Sequence, residues 1–92
     1  MEKDITVEQA VAAMKGWEGA VCVTVQKVGD GGIDGNTYDD VERAVEDFNA
    51  SVRGCAADPY WNHDVSLCMT WPDDPDDEDS SWLTEPVITV TV

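Results

Sequence analysis

Apolar residues recur at helical spacing in two segments of the chain. The first predicted helix starts at Thr6, whose spacing to Gln9 matches a capping box, and ends at the glycines that follow. Its apolar stripe is Val7, Ala10, Val11, Met14 and Trp17. The second starts at Thr37, with Asp40 in the capping-box position, and ends near Arg53–Gly54. Its stripe is Val41, Ala44, Val45, Phe48 and Val52. Each helix is therefore predicted to bury one face.

Three segments alternate between apolar and polar side chains, which is the period of a strand buried on one face. They are residues 21–26, 65–71 and 87–92. The order αβαββ predicts one α+β domain over residues 1–92, a two-layer sandwich with both helices on one face of a three-stranded mixed or antiparallel sheet. With the second helix as a right-handed crossover, the first two strands are parallel and the last is antiparallel to the second.

The glycine-rich segment after the first strand leaves one alternative open. The sequence GDGGIDGN at residues 29–36 is typical of a turn. In the alternative, a short strand around Ile33–Tyr38 pairs with the first strand as a hairpin. The place of the last strand, beside or between the other two, is also open.

Charge decides which ligands the chain can bind. Twenty acidic residues against five Lys and Arg give the 92-residue chain a formal net charge of -15. Proteins that bind DNA, RNA or anionic membranes unaided use clustered cations to neutralise phosphates, so this balance argues against such ligands. An apolar fraction of 42% is ordinary for a globular protein, so we expect a folded domain.

The N-terminal segment and the cysteines predict the compartment. The segment is acidic where a signal peptide is basic, and no run approaches the roughly 18 apolar residues of a membrane span. We therefore expect a soluble, cytoplasmic protein with no membrane contact. An odd number of cysteines, Cys22, Cys55 and Cys68, does not fit a disulfide framework and favours reduced thiols.

No residue pattern identifies a reaction. His63, the single histidine, is the base that a thiol site with Cys55 and Asp64 would need, but no family signature surrounds these residues. A histidine in a surface loop is the simpler interpretation. We predict that the protein is not an enzyme and has no catalytic residues.

Metal and cofactor patterns are equally weak. Three scattered cysteines and one histidine lack the paired spacing of a zinc site. Several oxygen donors lie close together in the glycine-rich segment, but Gly32 and Val41 stand where an EF-hand needs ligands, and a turn fits better. These donors are Asp30, Asp34, Asn36 and Asp39. We expect neither a metal nor a cofactor.

The carboxylates form two concentrated blocks. Helical spacing places five on the solvent face of the second helix, namely Asp39, Asp40, Glu42, Glu46 and Asp47. The connection over residues 72–85 holds six more, namely Asp73, Asp74, Asp76, Asp77, Glu78 and Asp79. Because a net charge of about 2 to 8 keeps a small domain soluble, -15 exceeds that need. These eleven carboxylates are the predicted partner-binding residues.

In size, acidity and scarcity of lysine, the whole chain resembles the small phage and mobile-element inhibitors of bacterial defence, the anti-CRISPR and anti-restriction proteins, several of which imitate nucleic acid. The resemblance lies in composition and includes no specific motif. It implies an inhibitor in the cytoplasm of the host bacterium that acts without catalysis. Its acidic surface would block the basic nucleic-acid-binding channel of an effector such as a CRISPR-Cas complex. The implied partner is a basic protein surface, with no direct contact to nucleic acid.

Other functions stay open at this stage. A small adaptor would bind through Trp61 and Trp82, which are predicted to lie in loops, where they would either cover the core edge or be exposed. Adaptation to high salt would also account for 13 Asp and 7 Glu against 3 Lys and 2 Arg. The threonine-rich sheet face leaves both a monomer and a homodimer open.

Overall fold

A computed structural model describes residues 4–29 and 31–92 of the chain. These residues form two helices and four strands: α1 (Val7–Ala13), β1 (Val21–Lys27), β2 (Ile33–Tyr38), α2 (Val41–Ala56), β3 (His63–Pro72) and β4 (Trp82–Thr91). The α+β class is confirmed. The three-stranded sheet and the order αβαββ are wrong, because residues 33–38 form an additional strand.

All neighbouring strands of the sheet are antiparallel, in the order β2-β1-β3-β4. Val21, at the start of β1, lies opposite Tyr38 on one side and Met69 on the other. The predicted parallel pairing of residues 21–26 with residues 65–71 is wrong, because β2 returns the chain along β1 before α2 begins and β1 and β3 are antiparallel. The alternative with a hairpin at Ile33–Tyr38 is the correct one.

β2 was difficult to predict because its residues are poor strand formers. The sequence IDGNTY contains Asp, Gly and Asn, which are depleted in strands. This edge strand is exposed over almost its whole length and is held by backbone pairing to β1. Gly35 lies against β1, where an added Cβ would be 3.1 Å from the carbonyl oxygen of Val23.

The helix boundaries differ from the predicted ones at three of four ends. The Thr6–Gln9 capping box is confirmed, but α1 ends at Ala13, and Lys15 and Gly16 follow with φ angles of 52° and 83°. Trp17 is therefore outside the helix. α2 begins after Asp40, whose side chain accepts from the Glu42 N–H at 2.9 Å, so the predicted start at Thr37 is wrong. It continues to Ala56, past the predicted end.

The hydrophobic core lies between the helices and one face of the sheet. Fully buried Phe48 of α2 packs in one cluster with Val23, Val65 and Leu67 of the central strands. Ala10 of α1 and Met14, the C-cap residue of that helix, belong to the same cluster. Both helices therefore cover the same face, as the patterns predicted.

Two tryptophans do not cover the core. Trp61 and Trp82 are 50% and 57% exposed, and Trp82 is the first residue of β4 and does not lie in a loop.

On the face of the sheet away from the helices, the Ser66 and Thr89 hydroxyls are 2.9 Å apart.

We expect Phe48→Ala to lower the free energy of unfolding by about 3 to 5 kcal/mol, because it removes a fully buried ring and leaves a cavity. Urea denaturation followed by circular dichroism measures this loss. Val11→Ala is the matched control, since Val11 is 46% exposed on α1 and should change stability by less than about 0.5 kcal/mol. Equal effects of the two substitutions would contradict the assigned core.

Candidate functional site: the acidic end of the sheet

The acidic connection between β3 and β4 is an ordered hairpin loop. Because β3 extends to Pro72 and β4 starts at Trp82, the unpaired segment is shorter than predicted. The Asp73 N–H donates to the Ser81 carbonyl at 2.7 Å and so extends the hairpin by one bond. The Ser80 hydroxyl donates to the Asp74 carbonyl at 3.0 Å. The hairpin carries its charges on a fixed backbone.

Two of the loop carboxylates help to build the loop itself. The Asp74 carboxylate accepts from the Asp76 N–H at 3.0 Å, and the Asp77 carboxylate accepts from the Asp79 N–H, also at 3.0 Å. These are Asx turns, in which a short side chain replaces a backbone acceptor. The side chains of Asp73, Asp76, Glu78 and Asp79 belong to exposed residues.

The acidic block predicted on the second helix is distributed differently. Asp39 precedes α2 and Asp40 is its N-cap, so the prediction that all five carboxylates lie on one helix face is wrong. Glu42 lies in the first turn and Glu46 one turn further on. Carboxylates at a helix N-terminus interact favourably with the exposed N–H groups and the helix dipole.

Asp47 has a mainly structural position. The Tyr38 hydroxyl donates to its carboxylate at 2.6 Å, and the Ser51 hydroxyl donates at 3.0 Å. The Asn36 side-chain amide donates to the same carboxylate at 3.4 Å. The hydrogen bond to Asp47 raises the pKa of Tyr38 above its ordinary value. Asp47 thus holds β2 against α2.

The strand register brings the two acidic blocks to the same end of the sheet. Tyr38, just before the α2 N-terminus, is opposite Val21, and Val21 is opposite Met69, just before the hairpin. Glu85 lies opposite Met69 on β4. We call this region the acidic end. Its eleven carboxylates are Glu18, Asp39, Asp40, Glu42, Asp73, Asp74, Asp76, Asp77, Glu78, Asp79 and Glu85.

Cations are scarce at the acidic end. Of the residues described there, the basic ones are Lys15, after α1, and Arg43, in the first turn of α2. Two further cations are placed elsewhere: Arg53 forms an ion pair with Asp4 at 2.5 Å, and the Lys27 ammonium lies 5.2 Å from the centre of the Trp61 ring. The acidic end therefore keeps a large net negative charge.

His63 is not the surface-loop residue that the sequence suggested. It is the first residue of β3 and only 7% exposed, and its Nε2 lies 3.8 Å from an Asp58 carboxylate oxygen. Its buried Nδ1 has no hydrogen-bond partner among the described residues. Cys55 belongs to the last turn of α2 and does not lie in a loop. Asp64 accepts from the Thr91 hydroxyl at 2.6 Å.

The oxygen donors of the glycine-rich segment, for which a turn was preferred to an EF-hand, have separate positions in the structure. Asp34 lies in β2 opposite Val25, and Asn36 donates to Asp47. Asp30 falls outside the described residues. Within residues 4–29 and 31–92, no group of three or more His, Cys, Asp or Glu side chains is arranged to hold a metal ion.

Trp17, Trp71 and Glu85 at the acidic end were not predicted as site residues. The Trp17 and Trp71 ring centres are 5.7 Å apart, with an angle of 58° between the ring planes. The sequence pattern assigned both tryptophans to core stripes. A signal for a position at the edge of the core was that each tryptophan is the last apolar residue of its pattern, Trp17 next to Gly16 and Trp71 next to Pro72.

Fold and site define a small acidic α+β protein whose charge is concentrated at one end of an antiparallel sheet. No known protein family, curated protein or solved structure matches the chain. Neither helix in the described part of the chain is long and apolar enough to cross a membrane.

We expect Cys22 and Cys68 to react with iodoacetamide much more slowly than Cys55 in the native protein. Burial and the neighbouring Cys68 thiol raise the pKa of Cys22 to about 12, and burial also raises the pKa of Cys68. Since the thiolate is the nucleophile, only about one Cys22 side chain in ten thousand is reactive at pH 8. Cys55 is less buried, although burial and Asp58 raise its pKa too.

Peptide mass spectrometry after timed labelling gives the order of reaction. Labelling of Cys22 should rise about tenfold per pH unit between pH 8 and 10. In denaturant, all three cysteines should react alike. Equal labelling of the three in the native protein at pH 8 would contradict the burial of the pair.

Proposed function

We propose that the protein is a non-enzymatic inhibitor that binds the basic nucleic-acid-binding surface of another protein through its acidic end. The supporting observation is that an ordered acidic hairpin and the acidic N-terminus of α2 share one end of the sheet. A loop whose backbone is held by its own hydrogen bonds loses less entropy on entering a basic groove than a flexible tail does.

The charge density favours imitation of nucleic acid. The hairpin has six carboxylates in the seven residues from Asp73 to Asp79. Duplex DNA carries about one negative charge per 1.7 Å of its axis, and proteins that bind it present matching rows of Lys and Arg. A concentrated negative end also speeds association with such a surface by long-range attraction.

The proposed class of partner is a bacterial nucleic-acid-handling effector such as a CRISPR-Cas complex. This choice depends on the compositional resemblance to anti-CRISPR and anti-restriction proteins. The mechanism would be steric and electrostatic blockade of the nucleic-acid channel. It needs no catalytic residue and no cofactor.

A charge-neutralised hairpin should bind such a partner less well than the native chain. Asp73→Asn, Asp76→Asn and Asp79→Asn together remove three charges while leaving the two Asx-turn acceptors, Asp74 and Asp77, in place. We expect about tenfold weaker binding at roughly 0.15 M salt, because three exposed charge pairs at about 0.5 kcal/mol each contribute about 1.5 kcal/mol together. Pull-down from bacterial lysate, with elution by duplex DNA or RNA, measures the loss.

The matched control removes three charges that are not among the eleven carboxylates of the acidic end, by Glu8→Gln, Asp34→Asn and Asp64→Asn. Asn at position 64 keeps an oxygen that can accept from the Thr91 hydroxyl. This control should bind like the native chain. Equal behaviour of the two triple variants would refute a specific acidic end and leave only nonspecific charge attraction.

Exposure of Trp61 and Trp82 favours a second candidate function, a small adaptor that binds through aromatic side chains. Trp61→Ala and Trp82→Ala would then abolish capture at low and high salt alike, whereas the hairpin triple variant would not. The inhibitor proposal predicts the opposite pattern.

A further inference from the structure

An apolar cavity of about 390 Å³ opens at the acidic end. It lies between the α1–β1 connection and the β3–β4 hairpin and is lined by Trp17, Met69, Trp71, Pro72, Pro75 and Glu85. We call it the tryptophan cavity. Its volume is in the lower part of the range for ligand sites, about 300 to 1,000 Å³. Glu85 supplies the one carboxylate among these aromatic and apolar side chains.

The two tryptophan rings are held in position by the folded chain. The Trp17 indole N–H donates to the Ala20 carbonyl at 2.9 Å, which fixes the ring beside the start of β1. Gly19 makes room for this ring, because a Cβ there would lie 2.4 Å from a Trp17 ring carbon. Trp71 projects from β3 with its ring tilted by 58° to that of Trp17. The two rings are therefore held against each other, and the cavity that they line is open to solvent.

Aromatic rings beside a carboxylate select a cation. The ring faces carry negative electrostatic potential, and cations bind over tryptophan more strongly than over other aromatic residues. The surrounding acidic end adds long-range attraction for positive charge. An uncharged apolar ligand would fit the walls but would make no use of Glu85.

Among the protein cations, arginine fits this cavity better than lysine. The planar guanidinium group stacks on aromatic rings and donates two parallel hydrogen bonds to a carboxylate. It is also more weakly hydrated than an ammonium group, so it loses less on entering an apolar cavity. Arginine is, moreover, a principal phosphate-binding side chain of proteins that recognise nucleic acid.

We propose that the tryptophan cavity binds an arginine side chain of the partner, with the guanidinium group stacked on the outer surface of the contacting Trp17–Trp71 pair and hydrogen-bonded to Glu85. This inference rests on the proposed function, in which a basic nucleic-acid-binding surface docks on the acidic end. It adds a specific anchor to an otherwise diffuse electrostatic attraction.

Titration with hexa-arginine and hexa-lysine peptides of equal charge tests the proposal. The readout is the NMR signal of the indole N–H groups, with Trp61, which lies beside Lys27 at the opposite end of the sheet, as the internal control. Hexa-arginine should shift the signals of Trp17 and Trp71 and bind about threefold to tenfold more tightly than hexa-lysine. Equal affinities without a shift of these two signals would overturn the proposal.

Glu85→Gln and Asp79→Asn form a matched pair, since each removes one charge from the acidic end and only Glu85 lines the cavity. Glu85→Gln should weaken hexa-arginine binding about tenfold, because a charge-assisted hydrogen bond is lost. Asp79→Asn should weaken it about twofold. Equal effects, or the same indole shifts with an uncharged leucine peptide, would overturn an arginine site.

The partner assay separates this proposal from the proposed function. If the hairpin triple variant loses the partner while Glu85→Gln behaves like Asp79→Asn, the acidic end is supported and the arginine site is refuted. If hexa-arginine binds as expected while the hairpin triple variant keeps its partner, the arginine site is supported and blockade by the acidic end is refuted.

Discussion

The antiparallel pairing of β1 with both of its neighbours determines where the charge of this protein lies. Because Val21 is opposite both Tyr38 and Met69, the chain leaves β2 and β3 at the same end of the sheet. The segments that follow these strands are the acidic N-terminus of α2 and the acidic hairpin. The α1–β1 connection joins them there. One register thus produces both the acidic end and the tryptophan cavity.

Concentrating carboxylates in this way opposes folding, since like charges repel and the domain has a small core. Two features limit the cost. The hairpin uses Asp74 and Asp77 as acceptors for its own backbone, and Asp40 caps α2. Screening at physiological salt also weakens repulsion between exposed charges beyond about 8 Å. This charge arrangement lowers stability and exceeds what solubility needs. Both points favour a role in binding.

The features that the sequence predicted correctly are those controlled by local residue patterns. The Thr6–Gln9 capping box, the alternation of β1 and the apolar stripe of α2 all appear in the structure. The residues of β2 have poor strand propensity, so the pattern offers this strand only as an alternative, and it forms because of its pairing to β1. The cavity could not be predicted: in the parallel arrangement favoured by the pattern, Trp17, before the first predicted strand, and Trp71, at the end of the second, would lie at opposite ends of the sheet. Both acidic blocks were identified, but their common location depends on this register.

The proposed mechanism requires that the acidic end and nucleic acid compete for one surface of the partner. The most direct measurement is a titration of a purified partner, bound to fluorescently labelled duplex DNA or RNA, with the protein, followed by fluorescence anisotropy. Competition for one surface predicts complete displacement of the nucleic acid at saturation, with a midpoint that rises with the concentration of nucleic acid. Anisotropy that stays high because protein and nucleic acid occupy the partner together would contradict it.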